Sequence, residues 1–140
     1  MPATIQPYLF FGGRCEEALG FYREALGAEV EMMMRFSESP EPAQPGMVPP
    51  GYENKVMHSS FRVGGSTIMA SDGCGEEGAY QGFSLAITVD TIEQADRTFA
   101  ALSKGGTVTM PLTKTFWAPK FGMLTDRFGV AWMVSVAHKP

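Results

Sequence analysis

The chain has few of the residues from which most cofactor and partner sites are built. Among 140 residues there are two cysteines and two histidines. Cys15 and Cys74 lack CxxC spacing, and a pair is too few for a disulfide framework, so both are expected to be reduced structural thiols. Basic residues are outnumbered by acidic ones, 11 to 15, which leaves a net charge of −4. With no long Lys/Arg run there is no phosphate footprint, which argues against nucleic acid as a partner. No apolar run reaches the roughly 18 residues of a membrane span, and Met1 to Pro7 has neither a basic start nor an apolar signal core. A cytoplasmic chain with no membrane partner is the expectation.

What is present is a repeat. From Pro7 the chain reads as an apolar strand, Tyr8-Leu9-Phe10-Phe11, then a Gly-Gly turn. Cys15, Ala18, Leu19, Tyr22, Ala25 and Leu26 follow at helical spacing, with Gly27 ending the helix. From Ser84 the pattern recurs: strand Leu85 to Val89, then a helix with Ile92, Ala95, Phe99 and Leu102 as its apolar stripe, ended by Gly105-Gly106. Thr91-Ile92-Glu93-Gln94 is a capping box. Near the end of each half, Met57 to Met69 lies without gaps over Phe121 to Met133.

The spacing between equivalent residues is 77 from Pro7 to Ser84 but 64 from Met69 to Met133, so the first half carries extra chain. Residues 37–54 hold five of the ten prolines and read as an exposed loop. The length suits one core. The expectation is a single α+β domain over 1–140, with module one at about 5–72 and module two at about 82–137. Each module is a strand, a helix and a three-stranded meander.

Strand alternation sorts side chains by face. A two-residue turn at Gly64-Gly65 pairs Val63 with Ser66, Ser60 with Met69 and His58 with Ser71. His58, Ser60 and Arg62 then share a face with Thr67, Met69 and Ser71, while Phe61, Val63, Ile68 and Ala70 face a helix. In the second half Ser84, Ala86, Thr88, Ala131, Met133 and Ser135 form the mixed face, against Leu85, Ile87, Val89, Trp132, Val134 and Val136. A face of Ser, Thr, Met, His and Arg suits a semi-polar pocket, or equally an open sheet that meets solvent or a second subunit.

Tyr8-Leu9-Phe10-Phe11, Ala18-Leu19-Gly20-Phe21-Tyr22, Ile68-Met69-Ala70-Ser71-Asp72, Thr115-Phe116-Trp117 and Asp126-Arg127-Phe128-Gly129-Val130-Ala131-Trp132 occur in an order and spacing that resembles the PhnB-like branch of the vicinal-oxygen-chelate superfamily. The resemblance covers nearly the whole chain. It implies two βαβββ modules that form a curled mixed-sheet cup, with helices outside and a ligand within, and a homodimer. Metal-using members of that superfamily take His, Gln or Glu ligands from the first and last strands of each half. Placed by the repeat, those positions are Pro7, Met69, Ser84 and Met133, which suit no Zn, Mn, Fe or Ni site. No metal and no other cofactor is therefore expected.

His58 is the candidate catalytic base or ligand-orienting residue, and a histidine satisfied by Ser71 or by backbone is the plain alternative. Ser60, Arg62, Met69, Ser71, Ser84, Trp117 and Met133 are the candidate ligand-binding residues, and Asp72 is either a further polar partner or a solvated rim residue. Trp117 either caps a planar ligand or packs against protein. Of Met32-Met33-Met34, only alternate members can face a pocket. His138, close to the C-terminus, is set aside as frayed.

Gly73-Cys74-Gly75-Glu76-Glu77-Gly78 fits GxGxxG, but a strand rather than a helix follows it and its glutamates would repel a pyrophosphate. It reads as a linker, and nothing in the chain supports the ubiquinone-methyltransferase label that some relatives carry. Three functions compete: a metal-independent pocket protein for a small organic molecule, a metal-dependent lyase, isomerase or dioxygenase, and a dimeric interaction module without chemistry.

Overall fold

The computed structural model describes residues 3–39, 50–73 and 82–137. The chain divides into two compact units, Met1–Glu77 and Gly78–Pro140. The middle of the proline-rich loop (40–49), Cys74, most of the GxGxxG string and His138 lie outside the described residues.

The first unit runs β1 (Tyr8–Phe10), α1 (Cys15–Leu26), β2 (Glu29–Arg35), a short 3-10 turn (Phe36–Glu38), β3 (Val56–Val63) and β4 (Ser66–Ser71). Its sheet order is β1-β4-β3-β2, with β1 parallel to β4 and the other pairs antiparallel. The second unit runs β5 (Leu85–Val89), α2 (Ile92–Ser103), β6 (Thr107–Thr113), β7 (Phe121–Thr125) and β8 (Ala131–Val136) in the order β5-β8-β7-β6, with β5 parallel to β8. This is the βαβββ unit that the repeat predicts, built twice.

Each helix buries its apolar stripe against one sheet face. In α1, Cys15, Ala18, Leu19 and Tyr22 are buried, and the Tyr22 ring stacks on Phe61 of β3 at 5.7 Å. Removing one such large side chain from water stabilises the fold by roughly 1.5–3 kcal/mol. In α2 the buried residues are Ala95, Phe99 and Leu102. Ile92 does not join them: it opens the first turn and is 45% exposed. Gly122 of β7 fits beneath this helix because it has no side chain, since a Cβ there would lie 2.8 Å from Phe99 Cε2.

The ends of the elements follow local chemistry. Gly27 takes a left-handed φ of 67° and its N–H bonds Arg23 O at 3.0 Å, closing α1. Thr91 Oγ1 accepts from Gln94 N at 3.1 Å while Gln94 Oε1 accepts from Thr91 N at 3.1 Å, which is the expected capping box. Helix α1 has no such residue: Arg14 at its N-cap makes no side-chain cap. Its partner comes from the far end of the unit, as described below.

The β3–β4 ladder runs from Val63↔Ser66 to Ser59↔Ala70, as the Gly64-Gly65 turn requires. Two details of the internal equivalence differ from expectation by one residue. Tyr8 pairs with Met69 and Ala86 with Met133, so Tyr8, not Pro7, is the first-strand residue beside Met69. Ser60 pairs with Met69 but Met123 with Met133, so His58 corresponds to Phe121. The cause of the second shift is the longer β7–β8 connection, where Asp126 to Val130 replace the two glycines of the first hairpin and Thr125 pairs with Ala131.

Candidate functional site

Because α1 covers the face that carries Phe61, the opposite face of the first sheet is free of its helix. Register places Tyr8 beside Met69, and Phe10 beside Ser71, on that face. From β3 come His58, Ser60 and Arg62, and from β2 come Met32 opposite Ser60 and Met34 opposite His58. Of the methionine run, therefore, Met32 and Met34 lie here, while Met33 opposite Ser59 turns toward the helix.

The centre of this face is a hydrogen bond between Tyr8 Oη and His58 Nδ1 at 3.0 Å. The two rings stack at 5.7 Å with 29° between planes, and Phe10 lies 5.0 Å from Tyr8. The backbone helps to set this geometry. Met34 pairs with His58 but Arg35 pairs with Val56, so Met57 is an extra residue that bulges β3 directly beside His58. Beyond Ala70 the β3–β4 ladder closes with Asp72 N on Val56 O at 2.9 Å. His58 is thus satisfied by Tyr8 rather than by Ser71. Ser71 is itself buried, and its Oγ accepts from Gly73 N at 3.1 Å.

Arg62 stands at the margin of the face and is already engaged, with Glu29 at 2.6 Å and Glu31 at 3.8 Å. All three side chains are substantially exposed, so these pairs are worth about 1 kcal/mol at most.

In the second unit Met133 lies between Met123 and Ala86, and Ser135 between Phe121 and Thr88. Thr88 Oγ1 is 3.3 Å from Ser135 Oγ. Ser84, one residue before β5, has the same parity as Ala86. Trp117 sits in the loop before β7, half-exposed, with its ring edge-on to Phe121 at 5.4 Å and to Phe116 at 4.7 Å. Thr115 holds that loop, because its Oγ1 accepts from Ala118 N at 3.1 Å.

Among the described residues two carboxylates are buried, and each is occupied by the fold. Asp72, 1% exposed, is not a rim residue. Its Oδ1 accepts from Gly13 N and Cys15 N, and its Oδ2 from Val56 N, all at 2.8 Å. It caps α1 from just beyond β4, because Arg14 offers no acceptor of its own. Asp126 accepts from Phe128 N at 2.8 Å and Val130 N at 3.1 Å through Oδ1, and from Trp132 Nε1 at 2.9 Å through Oδ2. Beside Asp72 the fully buried Cys15 thiol is pushed up from 9.0 to about 12, first by burial and further by the Asp72 charge, against a lowering contact with Ser59. Such a thiol is not a nucleophile at neutral pH.

The family model described as 3-demethylubiquinone-9 3-methyltransferase matches residues 3–135. Protein YjdN of Escherichia coli K12 is 37% identical over 141 residues, which cover 96% of each chain. The chain belongs to this family, the PhnB-like branch of the vicinal-oxygen-chelate superfamily. Protein PA1353 of Pseudomonas aeruginosa has a crystal structure that superposes with a TM-score of 0.85 at 44% identity, over 99% of this chain and all of that one. A putative 3-demethylubiquinone-9 3-methyltransferase, PhnB protein, from Bacillus cereus gives 0.79 at 30%, over 96% of this chain and all of that one. A glyoxylase/bleomycin resistance protein/dioxygenase domain from Frankia sp. EAN1pec shares the fold, with a TM-score of 0.67 at 14% identity over 99% of each chain.

In this PhnB-like chain the first and last strands of each unit present Tyr8 beside Met69 and Ala86 beside Met133, with Pro7 directly before Tyr8 and Ser84 before Leu85. Neither the phenol and thioether of the first unit nor the methyl group and thioether of the second is a donor set for a hard or borderline divalent ion. Among the described residues no three His, Cys, Asp or Glu side chains are grouped to hold a metal ion. The superfamily's metal therefore does not fit the residues present. Tyr8 was not among the candidate site residues read from the sequence, because the repeat placed Pro7 in its position. The parallel pairing of β1 with β4 is what reveals it.

Proposed function

We propose that this PhnB-like chain binds a small organic molecule at the helix-free faces of its sheets, without a divalent metal. The observation that supports it is the Tyr8–His58 pair, set among Phe10, Met69 and Ser60 on a face that its own helix leaves open. Rings and thioethers offer apolar contact, and a single imidazole offers directional polarity. Met133, Ser84 and Trp117 are the corresponding candidates in the second unit, and Arg62 and Ser71 are less suited, being engaged elsewhere.

A metal-dependent lyase, isomerase or dioxygenase would need ligands that these strands do not carry. The methyl transfer in the family's name would need a methyl-donor site, and no described residue group argues for one. A dimeric interaction module without chemistry differs from a binding protein in having no ligand, so retention of a ligand is the test. Native mass spectrometry of protein from cytoplasmic extract should show a small-molecule adduct that is lost on denaturation and weakened in His58→Gln. A bare chain mass in extract and after incubation with metabolite mixtures would refute the binding reading. The same reading makes the working form a homodimer, since β1 and β2, and likewise β5 and β6, are sheet edges. A monomer mass by light scattering at all concentrations would contradict that part.

A further inference from the structure

Which ring nitrogen of His58 carries the proton is decided by its partner. A phenol is a far stronger acid than a neutral imidazole N–H, and an imidazole nitrogen is a far stronger base than a phenol oxygen. The favoured direction of the 3.0 Å contact is therefore Tyr8 Oη–H donating to Nδ1. The lone pair of Nδ1 is then occupied, and the proton of the neutral ring sits on Nε2. The His58 side chain makes no other hydrogen bond among the described residues, so no second partner competes for Nε2.

We propose that Tyr8 is a positioning residue that fixes the Nε2–H tautomer of His58, so that this imidazole donates a hydrogen bond to an acceptor oxygen of a planar ligand. This rests on the reading above that His58 meets the small molecule, and it decides between the two roles open to that histidine. A ring with Nδ1 occupied and Nε2 protonated is a donor and not a general base. Planarity follows from the neighbours: Tyr8 stacks on His58 at 5.7 Å, and Phe10, half-exposed, lies 5.0 Å from Tyr8. A flat conjugated ligand with a carbonyl or carboxylate oxygen can place its plane against these rings while its oxygen meets Nε2.

The test is nitrogen NMR of protein carrying 15N-labelled histidine, at a pH where the same spectrum shows the ring neutral, with His58→Gln to assign the signals. The intact protein should give a protonated Nε2 and an unprotonated Nδ1, and Tyr8→Phe, which keeps the ring, should shift His58 toward a tautomer mixture. A protonated Nδ1 in the intact protein, or a tautomer unchanged in Tyr8→Phe, would overturn the positioning role whether or not a ligand binds. Benzoate and benzamidine then serve as flat probes, one with acceptor oxygens and the other with only donors. Benzoate should move the Nε2 signal and benzamidine should not. An equal or larger response to benzamidine would overturn the ligand class, and silence from both with the expected tautomer would overturn the ligand role while the Tyr8 effect stands.

Discussion

At the scale of single residues, the side chains with the most chemical promise in the sequence divide sharply by surroundings. Cys15 has the strongest shift and the least availability, because burial favours the neutral thiol. A folded pKa raised from 9.0 to about 12 means that the folded state holds the proton more tightly than the unfolded chain does. Its contribution to stability is thus complete below about pH 9 and is lost as pH rises toward 12. Urea denaturation at pH 8 and pH 10 checks this: the loss of stability between them should shrink by about 1 kcal/mol in Cys15→Ala. Identical losses in both proteins would show that the thiol is not held as described. His58 was legible as the histidine to watch, and its face followed from the Gly64-Gly65 turn. Its partner was not, because Tyr8 lies fifty residues away on a parallel strand whose register no local pattern encodes.

Elements show why the motif strings that carry the family resemblance are more informative about folding than about chemistry. Asp72 directly follows β4, yet its carboxylate joins the β1–α1 turn, the start of α1 and the start of β3. Asp126 organises the β7–β8 connection and pins the Trp132 indole. An acidic residue after an apolar strand reads as a rim residue in sequence, since nothing local shows that α1 lacks a cap and must borrow one. Asp72→Ala would leave three backbone donors without their acceptor and is expected to cost at least about 2 kcal/mol. Thr91→Ala removes a local cap from α2 and is expected to cost about 1 kcal/mol. Paired denaturant melts of the two variants measure the difference, and an Asp72→Ala loss no larger than that of Thr91→Ala would contradict the long-range cap. The residues of β6 were not picked out in the sequence, whereas α1, α2, the Gly27 and Thr91 caps and the strands flanking the Gly64-Gly65 turn were readable, because helical spacing, capping residues and alternation are local. The one-residue shifts at β1 and β7 were not, since loop length alone does not fix a pairing.

For the molecule as a whole, the two βαβββ units followed from the repeat, their strand orders are supplied by the structure, and the family match spans residues 3–135. No helix among the described residues is long and apolar enough to cross a membrane. The proposed function depends on the strands that carry metal ligands elsewhere in the superfamily and here carry Tyr8, Met69, Ala86 and Met133. Elemental analysis is the most direct measurement of that claim. Tag-free protein should be purified without chelator from cells grown with added zinc, manganese, iron and nickel, then assayed by inductively coupled plasma mass spectrometry. Metal-independent binding predicts well under one ion of any element per chain after gel filtration, whereas one retained divalent ion per chain would contradict it.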